Sequence, residues 1–401
     1  MGGPNQPYWQ SQRQEVYDHY YQQLEEQNLA YPCFCTEQEL ALNRKLQISR
    51  GQAPRYPGTC LKFTKEDIAA RIEKGLKPTL RFRIPTKKMI EFVDLAKGQQ
   101  RFNSDDIGDF IIRRGEGTAS FMFCNAIDDS LMGVTHVLRG DDHLANTPRQ
   151  LMILDALNLR TPQYGHLSMI TGDDGAPLSK RHGSSSLNDL QHHGYLPRAV
   201  YNYLARLSHS YEQLHLMTFA ELAQNFKLER LSRAPARFDQ NQLLHWQKEA
   251  VMKLDSIETL AWLGGEVVDK IPEDKRELFS DVMKKNILFP HESQVWAEVF
   301  FGHELQFTHE QIDTLKEAGE EFFITAKELI AQHGIDIKKI LDELKAKLNL
   351  SGKKLFMPMR VALTGEQHGP ELIHIAALLG QDKMLQQMDQ ALQVVTGKIT
   401  C

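Results

Sequence analysis

The chain has 401 residues, of which 41% are hydrophobic and 25% charged, and its formal net charge is −5. This composition is typical of a globular protein of about two to four domains, and no apolar run approaches the roughly 18–20 residues that span a membrane. The N-terminus lacks the basic and then apolar pattern of a secretory signal. The five cysteines are an odd number spread over a long chain, which excludes a simple disulfide framework. We therefore expect a cytoplasmic protein with no membrane partner.

The first third of the chain is predicted to combine one helix with short strands. Residues 11–26 have helical apolar spacing, and one face carries Val16, Tyr20 and Leu24. Apolar and polar residues alternate at 79–85 (TLRFRIP) and 90–95 (IEFVDL), which predicts strands. Residues 108–129 are predicted to form two strands around a glycine-rich turn.

The next segment is predicted to alternate strands with a helix. Residues 132–143 (MGVTHVLRGDDH) predict a buried strand that ends in a polar cluster. Residues 147–158 predict a helix with Thr147 as its cap and Pro148 in its first turn. Residues 164–171 (YGHLSMIT) form another short apolar run. This alternation favours an α/β region with a parallel sheet.

Beyond about residue 187, glycine becomes rarer and helical periodicity takes over. Gly334 is predicted to end one helix and Asp336 to cap the next. The apolar face of this second helix is Ile337, Ile340, Leu341, Leu344 and Leu348. The C-terminal half is therefore predicted to consist of helical bundles.

Three cysteines form the first candidate site. Cys33, Cys35 and Cys60 have a spacing that could supply three corners of a tetrahedral zinc site. Lys62 occupies the position where a histidine would complete the ligand set, and Tyr56 is a weaker alternative fourth ligand. The competing interpretation is that the thiols pack as small hydrophobic groups without a metal.

The second candidate site lies at the end of the strand within 132–143. Arg139 could hold a carboxylate through two hydrogen bonds, and Asp142 could meet an ammonium group. Asn125 could add a polar contact. The carboxyl end of a strand in an open α/β sheet is where ligands bind, although a structural ion pair is the alternative. The tandem Asp128–Asp129 is expected to form a turn rather than a magnesium site.

A loop and a basic segment complete the set of candidates. The loop at 175–183 (GAPLSKRHG) combines flanking glycines with Ser179, Lys180 and Arg181, which suits phosphate binding. Residues 71–88 hold seven Lys or Arg and one acidic residue. Both segments could equally be ordinary solvated surface.

Taken in order, these segments resemble a bacterial glutamyl-tRNA synthetase, a class I aminoacyl-tRNA synthetase. The resemblance rests on 108–150, on 165–183 (GHLSMITGDDGAPLSKRHG), on 231–247 (LSRAPARFDQNQLLHWQ) and on 355–380. It implies an α/β plus all-α fold: an incomplete Rossmann-type class I core with an acceptor-binding insertion, followed by a helical anticodon-binding region. The resemblance implies four domains. Residues 1–120 would hold the end of the first Rossmann half and the insertion with its zinc-knuckle-like segment, and residues 121–190 the second Rossmann half with the loop. Residues 191–255 would form a stem-contact region and residues 256–401 the anticodon-binding region.

The resemblance also assigns ATP and glutamate contacts. Residues 177–181 (PLSKR) correspond to the family's KMSKS-type loop, with Pro177 in place of its usual first lysine. Lys180 then acts in catalysis by steadying ATP phosphates, magnesium accompanies ATP, and the ATP-binding residues are Leu178, Ser179, Lys180 and Arg181. Glutamate is expected to contact Asn125, Arg139 and Asp142, with Phe121 where the family has a tyrosine.

Two further assignments follow from the same resemblance. The segment with Cys33, Cys35 and Cys60 corresponds to the zinc knuckle of the acceptor-binding insertion, with Lys62 replacing the zinc-binding histidine. Arg81 and Arg83 lie in that insertion and are expected to contact tRNA from one face of a strand, which would position the tRNA more than read its sequence.

The family's first segment, with its HIGH motif, has no counterpart here, because no H-x-G-H sequence occurs in the chain. We therefore expect one half of the nucleotide site to be missing. The leading function is glutamate–tRNA ligase, a monomer that uses ATP and acts on tRNA of the glutamate type, the glutamine type or both. The alternative is a truncated, catalytically inactive tRNA-binding paralogue.

Overall fold

The computed structural model describes residues 3–172, 174–176, 178 and 186–397. The chain forms two compact units, each assembled from three segments. The first unit comprises 1–178, 206–212 and 225–238; the second comprises 179–205, 213–224 and 239–401.

The first unit mixes short sheets with helices. Its helices are α1 (Gln14–Glu26), α2 (Glu37–Ser49), α3 (Lys65–Glu73), α4 (Ser104–Ile107), α5 (Phe121–Leu131) and α6 (Thr147–Ala156). Its strands are β1 (Ala30–Cys33), β2 (Thr79–Phe82), β3 (Met89–Asp94), β4 (Gly98–Asn103), β5 (Phe110–Arg113), β6 (His136–Gly140), β7 (Gln163–Leu167), β8 (Ile170–Thr171) and β9 (Ala236–Arg237).

The strands pair in four small sheets. β1, β2 and β5 form an antiparallel sheet in that order, and β3 pairs antiparallel with β4. β6 and β7 are parallel, as are β8 and β9. The predicted parallel α/β region is thus confirmed for β6, α6 and β7, because α6 is the crossover between the two parallel strands.

The core of the first unit joins α1 to α5. Tyr17, Tyr21 and Leu24 of α1 are buried, so the buried face is rotated from the predicted one, on which Val16 and Tyr20 are only partly buried. The tyrosine hydroxyls explain this rotation. Tyr17 donates to Asp128 at 2.6 Å and Tyr21 donates to the carbonyl of Ile112 at 3.1 Å, so both rings can enter the core with their polar ends satisfied.

Several local predictions in this unit are wrong. The segment that starts at Phe121 is the helix α5 instead of a second strand, because Phe123, Cys124 and Ile127 are buried at helical spacing. The N-cap of α6 is Asn146, while Thr147 lies inside the helix and is fully buried. The strand β6 is largely half-exposed rather than buried.

The second unit consists mainly of helices. They are α7 (Leu187–His192), α8 (Pro197–Leu207), α9 (Phe219–Asn225), α10 (Gln240–Met252), α11 (Ser256–Leu263), α12 (Gly265–Val268), α13 (Arg276–Asn286), α14 (Glu292–Phe301), α15 (His309–Ala318), α16 (Glu320–His333), α17 (Ile337–Leu348), α18 (Lys353–Thr364) and α19 (Leu372–Val395). The last residues of α8 and α9 belong to the first unit.

The predicted start of α17 is confirmed. Gly334 follows α16, and the side chain of Asp336 accepts a hydrogen bond from the amide of Lys339. The apolar face of α17 enters a large core shared with α13, α16, α18 and α19. No described helix combines the length and the apolar character that a membrane crossing requires.

Candidate active site

Parallel pairing of β6 with β7 sets the centre of the candidate site. The register places Arg139, near the end of β6, beside His166 of β7. A short 3₁₀-helix, Asp141–Asn146, follows β6 directly and carries the predicted Asp142. The helix α5 presents Phe121 and Asn125 one turn apart.

The guanidinium of Arg139 is held on two sides. Its Nε donates to His166 Nε2 at 3.1 Å, and its Nη2 donates to Thr147 Oγ1 at 2.8 Å and to Gln150 Oε1 at 2.7 Å. Its Nη1 has no hydrogen-bond partner among the described residues. Nε and Nη2 are therefore fixed by three hydrogen bonds, while the two Nη1 hydrogens have no partner among the described residues.

Asn125 is connected to Arg139 through Gln150. The Gln150 side chain is fully buried, and its Nε2 donates to Asn125 Oδ1 at 2.7 Å. This bond turns the amide nitrogen of Asn125 away from Gln150. The structure thus brings together Asn125 and Arg139, two of the four residues that the sequence predicted for glutamate.

Asp142 and Phe121 are more exposed than Arg139. Phe121 is 41% exposed, and its ring centroid lies 5.1 Å from that of His143. The His143 Nε2 atom is 3.7 Å from Asp142 Oδ2. These contacts group Phe121, His143 and Asp142 together, and Phe121 offers an apolar ring without a hydroxyl.

Two polar groups near Arg139 are buried without a hydrogen-bond partner among the described residues. They are the hydroxyl of Tyr164 and the Oδ2 atom of Asp129. Burial raises the pKa of Asp129 to about 6, although the charge of Arg139 opposes this shift. Burial also raises the pKa of Tyr164 to about 12. The prediction of a turn at the tandem aspartates is wrong, because both residues lie within α5; there Asp128 accepts from Arg13 Nε and from the Tyr17 hydroxyl.

The phosphate-loop candidate lies mostly outside the described residues, which include neither Pro177 nor Ser179, Lys180 and Arg181. The backbone leading into the loop turns back on β8. Leu178 donates its amide hydrogen to the carbonyl of Ile170 at 2.9 Å, so that hydrogen is already used.

The structure brings the three predicted cysteine ligands together. The Sγ atoms of Cys33, Cys35 and Cys60 lie within 4.8 Å of one another, and those of Cys35 and Cys60 are 3.6 Å apart. Four ligands placed about 2.3 Å from a tetrahedral zinc would be about 3.8 Å apart, which matches this spacing. The Tyr56 hydroxyl is 3.4 Å from Cys33 Sγ and 3.6 Å from Cys35 Sγ. Lys62 is exposed at the end of a 3₁₀-helix.

The thiols of Cys33 and Cys35 differ in pKa. Burial disfavours the Cys33 thiolate, but hydrogen bonds from Tyr56 and the nearby Arg81 outweigh burial and lower the pKa of Cys33 to about 7. Burial raises the pKa of Cys35 to about 12, and the neighbouring thiols add to the shift. A set of thiols with one low pKa is suited to a metal, because a bound cation favours the thiolate of each ligand.

The two candidate tRNA-binding arginines do not share an exposed face. Arg81 is 5% exposed, donates to the carbonyl of Asp109 at 3.1 Å, and places its guanidinium carbon 3.9 Å from the centroid of the Tyr56 ring. Arg83 follows the end of β2 and is exposed. The predicted strand alternation is wrong here because the strand ends at Phe82 and the Arg81 side chain packs inward against the cysteine cluster.

The sequence prediction missed the residues that support Arg139. They come from three separate segments, Asp94 from β3, Thr147 and Gln150 from α6, and His166 from β7, and each segment carried only a strand or helix prediction. A polar residue within an apolar run, such as His166 in YGHLSMIT, was the available signal. A buried polar side chain needs a partner, so such a residue indicates a network even when its partner is unknown.

Comparisons with known proteins agree on one family. The family model described as tRNA synthetases class I (E and Q), catalytic domain, matches residues 2–245, and the model described as anticodon binding domain matches residues 218–392. The chain is 49% identical to glutamate–tRNA ligase 2 of Coxiella burnetii over 389 residues, which cover 97% of this chain and 84% of that protein. It is 48% identical to glutamate–tRNA ligase 2 of Nitrosococcus oceani over 382 residues, with 95% and 81% covered.

The fold is also similar to a solved structure. The crystal structure of a glutamate tRNA ligase from Elizabethkingia meningosepticum, in complex with its amino acid, superposes with a TM-score of 0.87 at 24% identity, covering 98% of this chain and 85% of that one.

Proposed function

Since the chain belongs to the class I tRNA synthetases of the glutamyl and glutaminyl group, we propose that it is a glutamate–tRNA ligase. It activates glutamate with ATP and transfers the glutamyl group to the 3′ end of tRNA. The predicted fold class, a class I catalytic domain followed by a helical anticodon-binding domain, is confirmed by the family models and the structural likeness.

The fixed guanidinium of Arg139 is the observation that carries this proposal. A carboxylate substrate needs a charged donor that is already oriented, because orienting a free arginine on binding would cost side-chain entropy. Arg139 meets this need through Nη1. Asn125 is joined to it through Gln150, the exposed Asp142 can meet the ammonium group, and Phe121 supplies an apolar wall.

ATP binding is proposed for the loop residues Leu178, Ser179, Lys180 and Arg181, with Lys180 stabilising charge on the phosphates and Mg²⁺ accompanying the nucleotide. Catalysis then comes from positioning and electrostatic stabilisation, since no residue needs to form a covalent intermediate. Leu178 can contribute only its side chain or carbonyl, because its amide hydrogen is already bonded.

For tRNA we propose the predicted division of the chain, with acceptor contacts from 1–120, stem contacts from 191–255 and anticodon contacts from 256–401. Arg83 is the better candidate of the two arginines, because a phosphate can reach an exposed guanidinium. The accepted tRNA is of the glutamate type, the glutamine type or both. We propose a cytoplasmic monomer.

The lack of an H-x-G-H sequence is the observation behind the second candidate function, a tRNA-binding paralogue without catalysis. The relatives at 48–49% identity carry the name glutamate–tRNA ligase and favour the enzyme. The sequence analysis predicted that the half of the ATP site with this motif is missing, and this stays a prediction.

Transfer of radiolabelled glutamate to tRNA tests the proposed function. We expect glutamyl-tRNA to accumulate with glutamate and not with glutamine as the amino acid. Purified tRNAs of the glutamate and glutamine types show which is accepted. Binding of tRNA without any charged product would instead support the paralogue.

We propose that zinc binds to Cys33, Cys35 and Cys60, with Tyr56 in place of Lys62 as the fourth ligand. Such a zinc ion would tie β1 to the 3₁₀-helix Thr59–Lys62 and so stabilise the insertion, because a closed tetrahedral site is structural. Arg81 supports the site by packing on the Tyr56 ring.

Replacement Cys60→Ser is expected to remove this metal. The purified wild-type chain should carry about one zinc per molecule, whereas the variant should carry almost none, since the site would lose one of its thiolate ligands. Zinc content is measured by mass spectrometry after exchange into metal-free buffer. Cys124→Ser is the matched control, because Cys124 is buried in α5 outside the cluster. Equal zinc content in all three proteins, including zero, would contradict the site.

A further inference from the structure

A fully buried acid–histidine pair lies behind Arg139. The side chains of Asp94 and His166 are both 0% exposed, and His166 Nδ1 lies 2.5 Å from Asp94 Oδ2. Asp94 Oδ1 also accepts from the amides of Ala96, Lys97 and His166. This many donors hold the carboxylate in one place at the end of β3.

The hydrogen-bond pattern fixes the tautomer of His166. A carboxylate oxygen with three backbone donors on its partner oxygen is ionised, so the proton of the short contact lies on His166 Nδ1. The neutral ring then has a lone pair on Nε2. That lone pair accepts from Arg139 Nε at 3.1 Å, and Thr147 Oγ1 lies 3.0 Å from the same nitrogen.

Thr147 lies between this nitrogen and the guanidinium. Its Oγ1 atom accepts from Arg139 Nη2 at 2.8 Å and lies 3.0 Å from His166 Nε2. The side of the guanidinium formed by Nε and Nη2 is thus bound to two acceptors that are themselves oriented. Rotation of Arg139 would break both bonds and leave His166 Nε2 and Thr147 buried with fewer partners.

We propose that His166 and Asp94 are a positioning pair for substrate binding: Asp94 fixes the His166 tautomer, and His166 orients Arg139 so that Nη1 is left for the glutamate carboxylate. This inference rests on the proposed function. Neither residue touches the substrate. Burial lowers the pKa of His166, while the bond to Asp94 opposes the shift, which agrees with a neutral ring at Arg139.

The substitutions His166→Asn and His166→Gln distinguish a role of His166 in orienting Arg139 from a role in core packing alone. Glutamine reaches far enough to place its Oε1 acceptor near the position of Nε2, whereas asparagine is shorter and places its amide near Nδ1, where it can still bond to Asp94. We expect His166→Asn to raise the KM for glutamate at least about tenfold, since a hydrogen bond to a charged group is lost, with the KM for ATP within about twofold. We expect His166→Gln to keep the KM for glutamate within about threefold of the wild type.

The kinetics are measured on the full chain, with glutamate binding measured by calorimetry as a readout that does not need turnover. His136→Asn is the matched control, because His136 is an exposed histidine of the neighbouring strand β6 whose side chain, among the described residues, contacts the Thr135 hydroxyl alone. It should leave both KM values unchanged. Thermal melting of each variant reports whether it folds.

Several results would contradict the proposed positioning role of His166 and Asp94. Wild-type glutamate affinity in both His166 variants would do so, as would a parallel rise in the KM values for glutamate and ATP. If His166→Asn does not fold, Thr147→Val gives the decision, because it removes one bond to Arg139 with little change of shape; an unchanged glutamate KM in that variant overturns the inference. Absence of any glutamate binding by the wild type would instead overturn the proposed function itself, and this inference with it.

Discussion

Replacement Arg139→Ala is expected to lower kcat/KM for glutamate by roughly 30- to 4,000-fold, which corresponds to about 2–5 kcal/mol for removal of one partner of a desolvated charge pair. The loss should appear mainly in the KM for glutamate, because Arg139 binds the carboxylate before and during the reaction. The KM for ATP should stay near the wild-type value. Steady-state kinetics of the exchange of pyrophosphate into ATP measure all three quantities.

The variant Arg139→Lys tests whether a positive charge alone is sufficient at this position. Arg139→Lys retains the positive charge but cannot make the bonds to His166, Thr147 and Gln150 together, since one ammonium replaces a planar fork of donors. We expect it to recover little of the lost activity. Arg101→Ala is the control, because Arg101 is an exposed arginine of the same unit whose ion-pair partner among the described residues is Glu91. Wild-type glutamate kinetics in Arg139→Ala would refute the assignment of Arg139.

Replacement Lys180→Ala is expected to lower the rate of adenylate formation by about 10²- to 10³-fold, the usual effect of removing one group that stabilises charge in a transition state. The effect should fall on kcat, because a flexible ammonium contributes most when charge on the phosphates changes. Pyrophosphate exchange at saturating ATP and glutamate measures it.

Lys65→Ala is the control for Lys180, since Lys65 is an exposed lysine at the start of α3. It should exchange at the wild-type rate. Full exchange activity in Lys180→Ala would show that the loop PLSKR does not serve the phosphates in this chain.

The sequence predicted those parts of the fold that have regular periodicity. The helical half follows from residues such as Ile337, Ile340 and Leu344, whose spacing repeats over several turns. The helix α5 was missed because residues 121–124 (FMFC) form a short continuous apolar run, which is also typical of a buried strand. Over so short an apolar stretch, burial against α1 decides between the two structures, and burial depends on distant residues.

The candidate site was only partly predictable for a related reason. Arg139 and Asn125 could be proposed from the sequence, because Arg139 lies at the carboxyl end of a predicted strand and the family resemblance assigns both residues to glutamate. Asp94 and His166 are 72 positions apart and become partners only when β3 and β7 lie side by side. No local pattern contains that contact.

Arg81 is a residue that the sequence assigned to the surface and that the structure buries. It lies in the segment 71–88, which holds seven basic residues and one acidic residue, a balance that indicates a nucleic-acid surface. In the fold the Arg81 side chain points inward instead, where its guanidinium lies over the Tyr56 ring and donates a hydrogen bond to the Asp109 carbonyl. A sequence shows which charges a segment carries, whereas only the packing shows which of them reach the solvent.

The most direct test of the proposed function is glutamate-dependent exchange of labelled pyrophosphate into ATP by the full chain in the presence of tRNA. We predict exchange with glutamate that glutamine does not support and that Arg139→Ala and Lys180→Ala both abolish or greatly reduce. Binding of tRNA by the wild-type chain, with exchange no higher than in the two variants, would contradict the proposal and identify a tRNA-binding protein without ligase chemistry.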